Sequence, residues 1–310
     1  MKEMVVYHWW SEPSDRPPHL NLRSPLIHSI ATLRGVNKDI PVVVLDGSTQ
    51  RVDYGGWDHR LKFLVIPITF SLSGYQDKAG WRNLSRMFDV WKYVNTDVTV
   101  IYSDLDVFWL KDPLPLTQDP NKFCFNKFNS GYFYFNRLAN DAYRFYKIFE
   151  AYTITSLHDD NFRVITRSYT DYNEWYYVLD ETILTYMYVK MPELFNVLDI
   201  YEHLTPSSDC NDILNADPDK LKMFHCHGMI VENKMELDEW RQRHNRGLAP
   251  LLIKELYDNM VAGIGEEGVR QLYEKELGHF GQVSIKDKEF VKRLLSTKED
   301  GGLFNLTKAL

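Results

Sequence analysis

The stretch Val98-Thr99-Val100-Ile101-Tyr102-Ser103-Asp104-Leu105-Asp106 runs an apolar segment straight into two carboxylates. A continuous β-branched and aromatic run of this kind reads as a strand buried on both faces, as in a parallel sheet. Upstream, Trp81–Val94 carries Leu84, Met87, Phe88, Trp91 and Val94 on one helical stripe. Further back, Leu61–Ile68 and Ile40–Leu45 read as strands, the second ending in the turn signal Asp46-Gly47. Ser24–Arg34 reads as a helix with Ser24-Pro25 as N-cap and first-turn proline, and Met4–Trp10 as the opening strand. This β-α-β-β-α-β order predicts an α/β sandwich with a mostly parallel sheet. Ligands of such sheets lie beyond the carboxyl ends of the strands, where His8–Trp10, Asp46 and Asp104–Asp106 all fall.

Downstream the character changes. Lys122–Asn136 is dense in Phe and Tyr and reads as strands around a turn at Asn129-Ser130-Gly131. Ala139–Tyr152 is helical, His158–Tyr177 reads as a long polar and aromatic loop over a site, and Asp180–Val189 is a short helix. Leu221–Val231 reads as a strand containing His225. From there the pattern is helical, over Leu237–Arg246, Ala249–Met260, Glu266–Leu277 and Asp287–Leu295. The expected division is 1–235 as the α/β domain, in halves 1–110 and 111–235, and 236–310 as a helical appendage.

Composition bounds the function. The chain has 310 residues, 44% hydrophobic and 25% charged, which is globular and excludes a mainly disordered protein. A net charge of −7 disfavours a general nucleic-acid-coating role. The 14% aromatic content suits either a core or a surface that stacks on flat or sugar-like ligands. Cys124, Cys210 and Cys226 form no C-x-x-C pair and no disulfide framework. The N-terminal run lacks the pattern of a signal peptide, and no stretch has the apolar length of a membrane helix, so a cytoplasmic chain is expected. The charged C-terminal helices read as solvated faces and leave room for peripheral membrane contact.

Asp104 and Asp106, two positions apart past a buried strand, read either as a solvated turn or as oxygen ligands for a hard divalent cation. Two like charges at a sheet edge favour a cation between them. Arg86 is a candidate for pairing with phosphate oxygens, or a surface helix arginine. Asp180 and Glu181 open a helix, where acids are favoured by the dipole, or face a substrate as acid-base or nucleophilic groups. Tyr7, His8, Trp9 and Trp10 read as a base-stacking end of the first strand or as core aromatics. Asp159, Tyr172 and Trp175 read as ligand-facing residues of the His158–Tyr177 loop or as part of an ordinary surface insert.

Five segments, in order, resemble the GT-A class of nucleotide-sugar glycosyltransferases. Val100–Pro113 looks like its D-x-D segment, and Trp81–Met87 like the preceding helix whose Arg reaches the nucleotide. Phe128–Phe133 resembles the N-[ST]-G segment that contacts the transferred sugar, here Asn129, Ser130 and Gly131. Leu179–Leu184 is similar to the D-[QE]-x-x-hydrophobic helix start, and Phe224–Gly228 to the H-x-x-G strand end. The class implies a Rossmann-like GT-A fold, a Mn²⁺ or Mg²⁺ cofactor, a nucleotide-sugar donor (a UDP-sugar above others) and a glycan acceptor. It implies Asp104, Asp106 and either His225 or His227 as metal ligands. It implies Tyr7, His8, Trp9, Asp46, Arg86, Asp104, Asn129, Ser130, Gly131 and Gly228 around the donor, Asp180 and Glu181 as catalytic, and Asp159, Tyr172 and Trp175 toward the acceptor, which makes 1–235 the catalytic domain with 1–110 as its nucleotide-binding half and 111–235 as its sugar and acceptor half. Lys234 falls near the class's basic residue, although its K-P-W ending is missing. The D-x-D-x-x-W-L-x-D-P form is most similar to retaining enzymes, which often carry Gln where this chain has Glu181. Two other classes compete: a haloacid-dehalogenase-like phosphatase with Asp104 as nucleophile, and a non-catalytic sugar-binding module of GT-A shape.

Overall fold

The computed structural model describes residues 2–9, 23–46, 61–66, 78–94, 98–105, 107–126, 129–169, 179–199, 221–225 and 258–269. In chain order these form β1 (Lys2–Trp9), α1 (Arg23–Val36), β2 (Val42–Asp46), β3 (Leu61–Val65), α2 (Lys78–Tyr93), β4 (Val98–Ser103) and β5 (Val107–Trp109). There follow β6 (Phe123–Asn126), β7 (Asn129–Asn136), α3 (Asn140–His158), α4 (Asp160–Arg167), α5 (Leu179–Lys190), β8 (Phe195–Val197) and β9 (Met223–His225). A last helix, α6, covers 258–269.

Seven strands form one sheet in the order β3-β2-β1-β4-β7-β6-β8, in which β7 alone is antiparallel to its neighbours. The sequence expectation of an α/β fold with a mostly parallel sheet is met. The chain steps outward from β1 to β2 and β3, then returns to place β4 on the other side of β1. The strand order therefore reverses between β1 and β4, where α/β sheets open a crevice at their carboxyl ends. Tyr7 pairs with Ser103 across that junction, so His8 and Asp104 leave the sheet side by side.

Strand alternation divides the core in two. Val6, Val100, Tyr102, Phe123, Phe125, Phe133 and Phe135 face α2, α3 and α5. Val5, Tyr7, Val44, Ile101, Cys124, Tyr132 and Tyr134 face α1 and a small antiparallel ladder of β5 with β9. Rings fill the first layer: Phe123 stacks on Phe145 at 3.9 Å, Tyr102 on Phe133 at 4.5 Å, and Trp91 on Tyr146 at 4.5 Å. For these residues the aromatic wealth serves packing.

Some expectations are corrected. Asn129-Ser130-Gly131 is not a turn but the start of β7; the hairpin closes earlier, where Asn126 pairs with Asn129 after a register shift. The supposed loop from His158 contains α4, whose N-terminus is capped by Asp159 through bonds from the Asn161 and Phe162 N–H groups. The helices α1, α2 and α3 each outrun their expected limits, and Ser24 lies inside α1 instead of capping it. Residues 258–269 are helical across the gap expected between Met260 and Glu266, with Gly265 at φ 77°, a conformation that favours glycine. The expected helices Leu237–Arg246 and Asp287–Leu295 lie outside the described residues. Among the described residues no helix is long and apolar enough to cross a membrane.

Candidate active site

Asp104 sits just past β4, at the crevice, and its side chain keeps 22% of its surface exposed. Its backbone N–H donates to Gly131 O at 2.7 Å, which ties the turn to β7. The carboxylate is held on one oxygen: Arg86 Nη1 donates to Oδ1 at 2.6 Å and the Tyr102 hydroxyl to the same atom at 2.7 Å. Tyr102 lies two residues before Asp104, so the period of a strand puts both on the α2 side. Its ring also lies under the guanidinium, 5.6 Å from Cζ. Burial, and then the charge of Asp104, push the Tyr102 pKa well above its usual value, so the hydroxyl stays a donor.

Arg86 is not a surface arginine. It is buried on the inner face of α2, and Nη2 donates to both Ser130 Oγ and Asp180 Oδ2. Burial alone would lower its pKa; the charges of Asp104 and then Asp180 outweigh that and hold it well above the usual range. One guanidinium fork thus bridges two carboxylates from β4 and α5, a geometry an ammonium cannot copy. Its Nε and the Oδ1 of Asp180 are both buried without a hydrogen-bond partner among the described residues.

Ser130 joins the two acids that open α5. Its hydroxyl donates to Asp180 Oδ2 at 2.7 Å, and its backbone N–H donates to Glu181 Oε1 at 3.1 Å. Asp180 is almost wholly buried, whereas Glu181 is partly exposed. Burial, followed by the neighbouring charge of Asp180, pushes the Glu181 pKa from 4.5 up to about 7, against the opposing pull of the Ser130 N–H, Arg86 and His225. Glu181 therefore changes charge near neutrality, the range that suits a general acid or base.

His225 ends β9, and the β5–β9 ladder brings it in: Val107 pairs with His225 directly. Its Nε2 lies 3.9 Å from Asp104 Oδ2, the oxygen on the side away from the Arg86 and Tyr102 bonds. A carboxylate oxygen and an imidazole nitrogen converging in this way fit a borderline-hard divalent cation. Among the described residues no third His, Cys, Asp or Glu completes the group.

Other candidates are placed differently. Tyr7 is a core residue: it is fully buried, its hydroxyl 2.9 Å from Ser29 Oγ and accepting from Trp109 Nε1 at 3.0 Å. That burial pushes its pKa up to about 12 and corrects the base-stacking alternative. His8 is also buried, its Nε2 2.8 Å from Asp89 Oδ2 on α2. Asp46 is buried at the end of β2, opposite Trp9. Asp106, Tyr172, Trp175, His227, Gly228 and Lys234 lie outside the described residues, as do the side chains of Trp9 and Asn129. Sequence reasoning missed Tyr102 and Asp89. The signals were there: Tyr102 shares strand phase with Asp104, and Asp89 sits one turn beyond Arg86.

No protein-family model matches the chain, and no curated protein matches it. Solved structures do. The apo form of the glycosyltransferase GlyE from Streptococcus pneumoniae TIGR4 aligns with a TM-score of 0.50 at 12% identity, over 84% of this chain and 64% of GlyE. This chain thus spans under two thirds of that protein's length. An active-site mutant of LgtC aligns with a TM-score of 0.50 at 14% identity, over 78% of this chain and 95% of LgtC. The chain has the α/β GT-A fold of these glycosyltransferases.

Proposed function

We propose that this protein is a metal-dependent glycosyltransferase that moves a sugar from a nucleoside-diphosphate sugar, a UDP-sugar above others, to a hydroxyl of a glycan acceptor with retention. The observation that carries the reading is the linked constellation at the switch point. Asp104, with one oxygen held by Arg86 and Tyr102, sits beside His225 and is bridged through Arg86 and Ser130 to Asp180 and Glu181. The fold shared with known glycosyltransferases supports it.

In this reading Asp104 and His225, together with Asp106, would hold Mn²⁺ or Mg²⁺. Bound there, the cation supplies Lewis-acid stabilisation of the diphosphate as it departs. The chain's own residues do the rest. Asp180, locked by Arg86 and Ser130, presents its unpartnered Oδ1 as an acceptor for a sugar hydroxyl. The anomeric C–O bond breaks with its electron pair going to the diphosphate, the bond to the acceptor oxygen forms on the same face, and the acceptor's hydroxyl proton passes to the departing diphosphate. Glu181, once ionised, stabilises the positive charge on the sugar or attacks it. Asn129, Ser130 and Gly131 line the sugar, and Arg86 orders the carboxylates.

The test is a panel of UDP-, GDP- and dTDP-sugars assayed for hydrolysis with and without Mn²⁺. Slow, Mn²⁺-dependent release of the nucleotide from one donor is expected, since transferases leak to water. Cleavage of simple phosphate esters with no donor hydrolysis would overturn the reading in favour of a phosphatase; sugar binding with neither activity would favour a lectin-like module.

A further inference from the structure

The ladder that brings His225 to Asp104 is very short. β5 has three residues, too few to hold a strand in place by pairing alone. Its backbone is instead gripped by side chains. On the α1 side, Ser29 Oγ donates to Val107 O, and Trp109 N donates to Thr32 Oγ1 at 3.1 Å. At its far end, Leu110 N and Lys111 N donate to Lys222 O at 2.9 and 3.0 Å, which fixes the β9 side. The carbonyls of Trp109 and Leu110 also belong to buried residues. Asn259 Nδ2, from α6, donates to them at 3.0 and 3.3 Å.

The approach of α6 is specified by glycine. A β-carbon at Gly35 would fall within the backbone of Asn259, and one at Gly263 would fall on Ala31 O and Gly35 N. The helices α1 and α6 can cross this closely only with glycine at both places. Met260 and Val269 of α6 are buried as well.

We infer that Asn259 is a positioning residue for the metal site: by satisfying the Trp109 and Leu110 carbonyls it holds β5, and through β5 both the aspartate turn and its register with His225. Residues 258–269 then belong to the catalytic body, not to an appendage. The inference rests on the metal-dependent reading above. It differs in locating part of the metal affinity about 150 residues from the aspartates, in a segment that supplies no ligand.

The experiment uses the full chain and Mn²⁺ as the probe. Mn²⁺ affinity is titrated by electron paramagnetic resonance, and hydrogen exchange is followed on the peptide spanning 107–111. In N259A, exchange at Leu110 and Lys111 rises and Mn²⁺ binds about three- to tenfold more weakly, below the loss typical of residues directly behind a ligand. N259Q, which restores the amide one methylene further out, recovers part of both. If N259A does not fold, N259Q is read against wild type by the same two measurements. Unchanged exchange, or raised exchange with unaltered Mn²⁺ affinity, overturns the inference while leaving the proposed function standing. A wild-type protein that binds no Mn²⁺ overturns the proposed function itself, and the inference with it.

Discussion

Arg86 Nη1 lies 2.6 Å from Asp104 Oδ1, so the helix before the aspartate pair is tied to its first member before any ligand arrives. The same side chain reaches Asp180 on α5, and the crevice carboxylates act as one electrostatic unit.

Arg86→Gln removes the shared counter-charge. Asp180, almost fully buried, is left with Ser130 alone among its described charged and hydroxyl partners. The fold should lose about 3 kcal/mol, the scale of breaking a buried ion pair from one side. Adding Asp180→Asn should restore part of that loss in a double-mutant cycle read by chemical denaturation. Strictly additive losses would remove the coupling.

Asp106→Ala and Asp104→Asn should each abolish transfer, by at least a hundredfold, with the far-ultraviolet spectrum intact. Chelation of divalent metal should do the same to wild type, reversibly. A rate that survives EDTA in either variant contradicts the proposed chemistry.

Glu181 gives a pH signature with a definite sign. Its folded pKa, about 7, exceeds the ordinary 4.5, because burial and Asp180 disfavour the charge. The folded state therefore holds a proton that the unfolded state has released. That contribution to stability is complete below pH 4.5 and is lost as pH rises through 7, on the order of 3 kcal/mol. Glu181→Gln should not share this loss, so its stability should gain on wild type between pH 5 and 8. Transfer by wild type should rise to a plateau above about pH 7, as the carboxylate ionises. Parallel stability curves for the two proteins would refute the assignment.

Tyr102→Phe keeps the ring that stacks on Phe133 and deletes only the donor to Asp104. A stability cost of about 1–2 kcal/mol is expected, as for a hydrogen bond to a charged group. The Mn²⁺ concentration for half-maximal activity should shift a few fold while the nucleotide's KM stays put. A KM change for the nucleotide alone would assign Tyr102 to the donor instead.

The sheet was legible because its signals are local. Val98–Tyr102 and Ile40–Leu45 are apolar runs, and Leu84, Met87, Phe88 and Trp91 mark one helix face. β5 and β8 were not, since three-residue strands carry no period. The triplet Asn129-Ser130-Gly131 has turn chemistry yet opens a strand, because Ser130 is recruited by Asp180 and Glu181 from elsewhere in the chain. In the site, Asp104, Arg86, Ser130, Asp180, Glu181 and His225 could be named in advance by their motifs. Asn259 could not: an asparagine on a helix says nothing of the carbonyls it meets until the helix is docked.

The Val107–His225 pairing joins segments that the ribosome makes far apart in time. When β8 emerges at 195–197, every strand of the main sheet has been synthesised, yet the imidazole has not. A nascent chain at that stage already carries Asp104, Asp180 and Glu181 but not yet His225 of β9. On the metal-dependent function proposed above, competence to bind manganese would be a late acquisition, arriving only after the sheet that hosts the site has been translated.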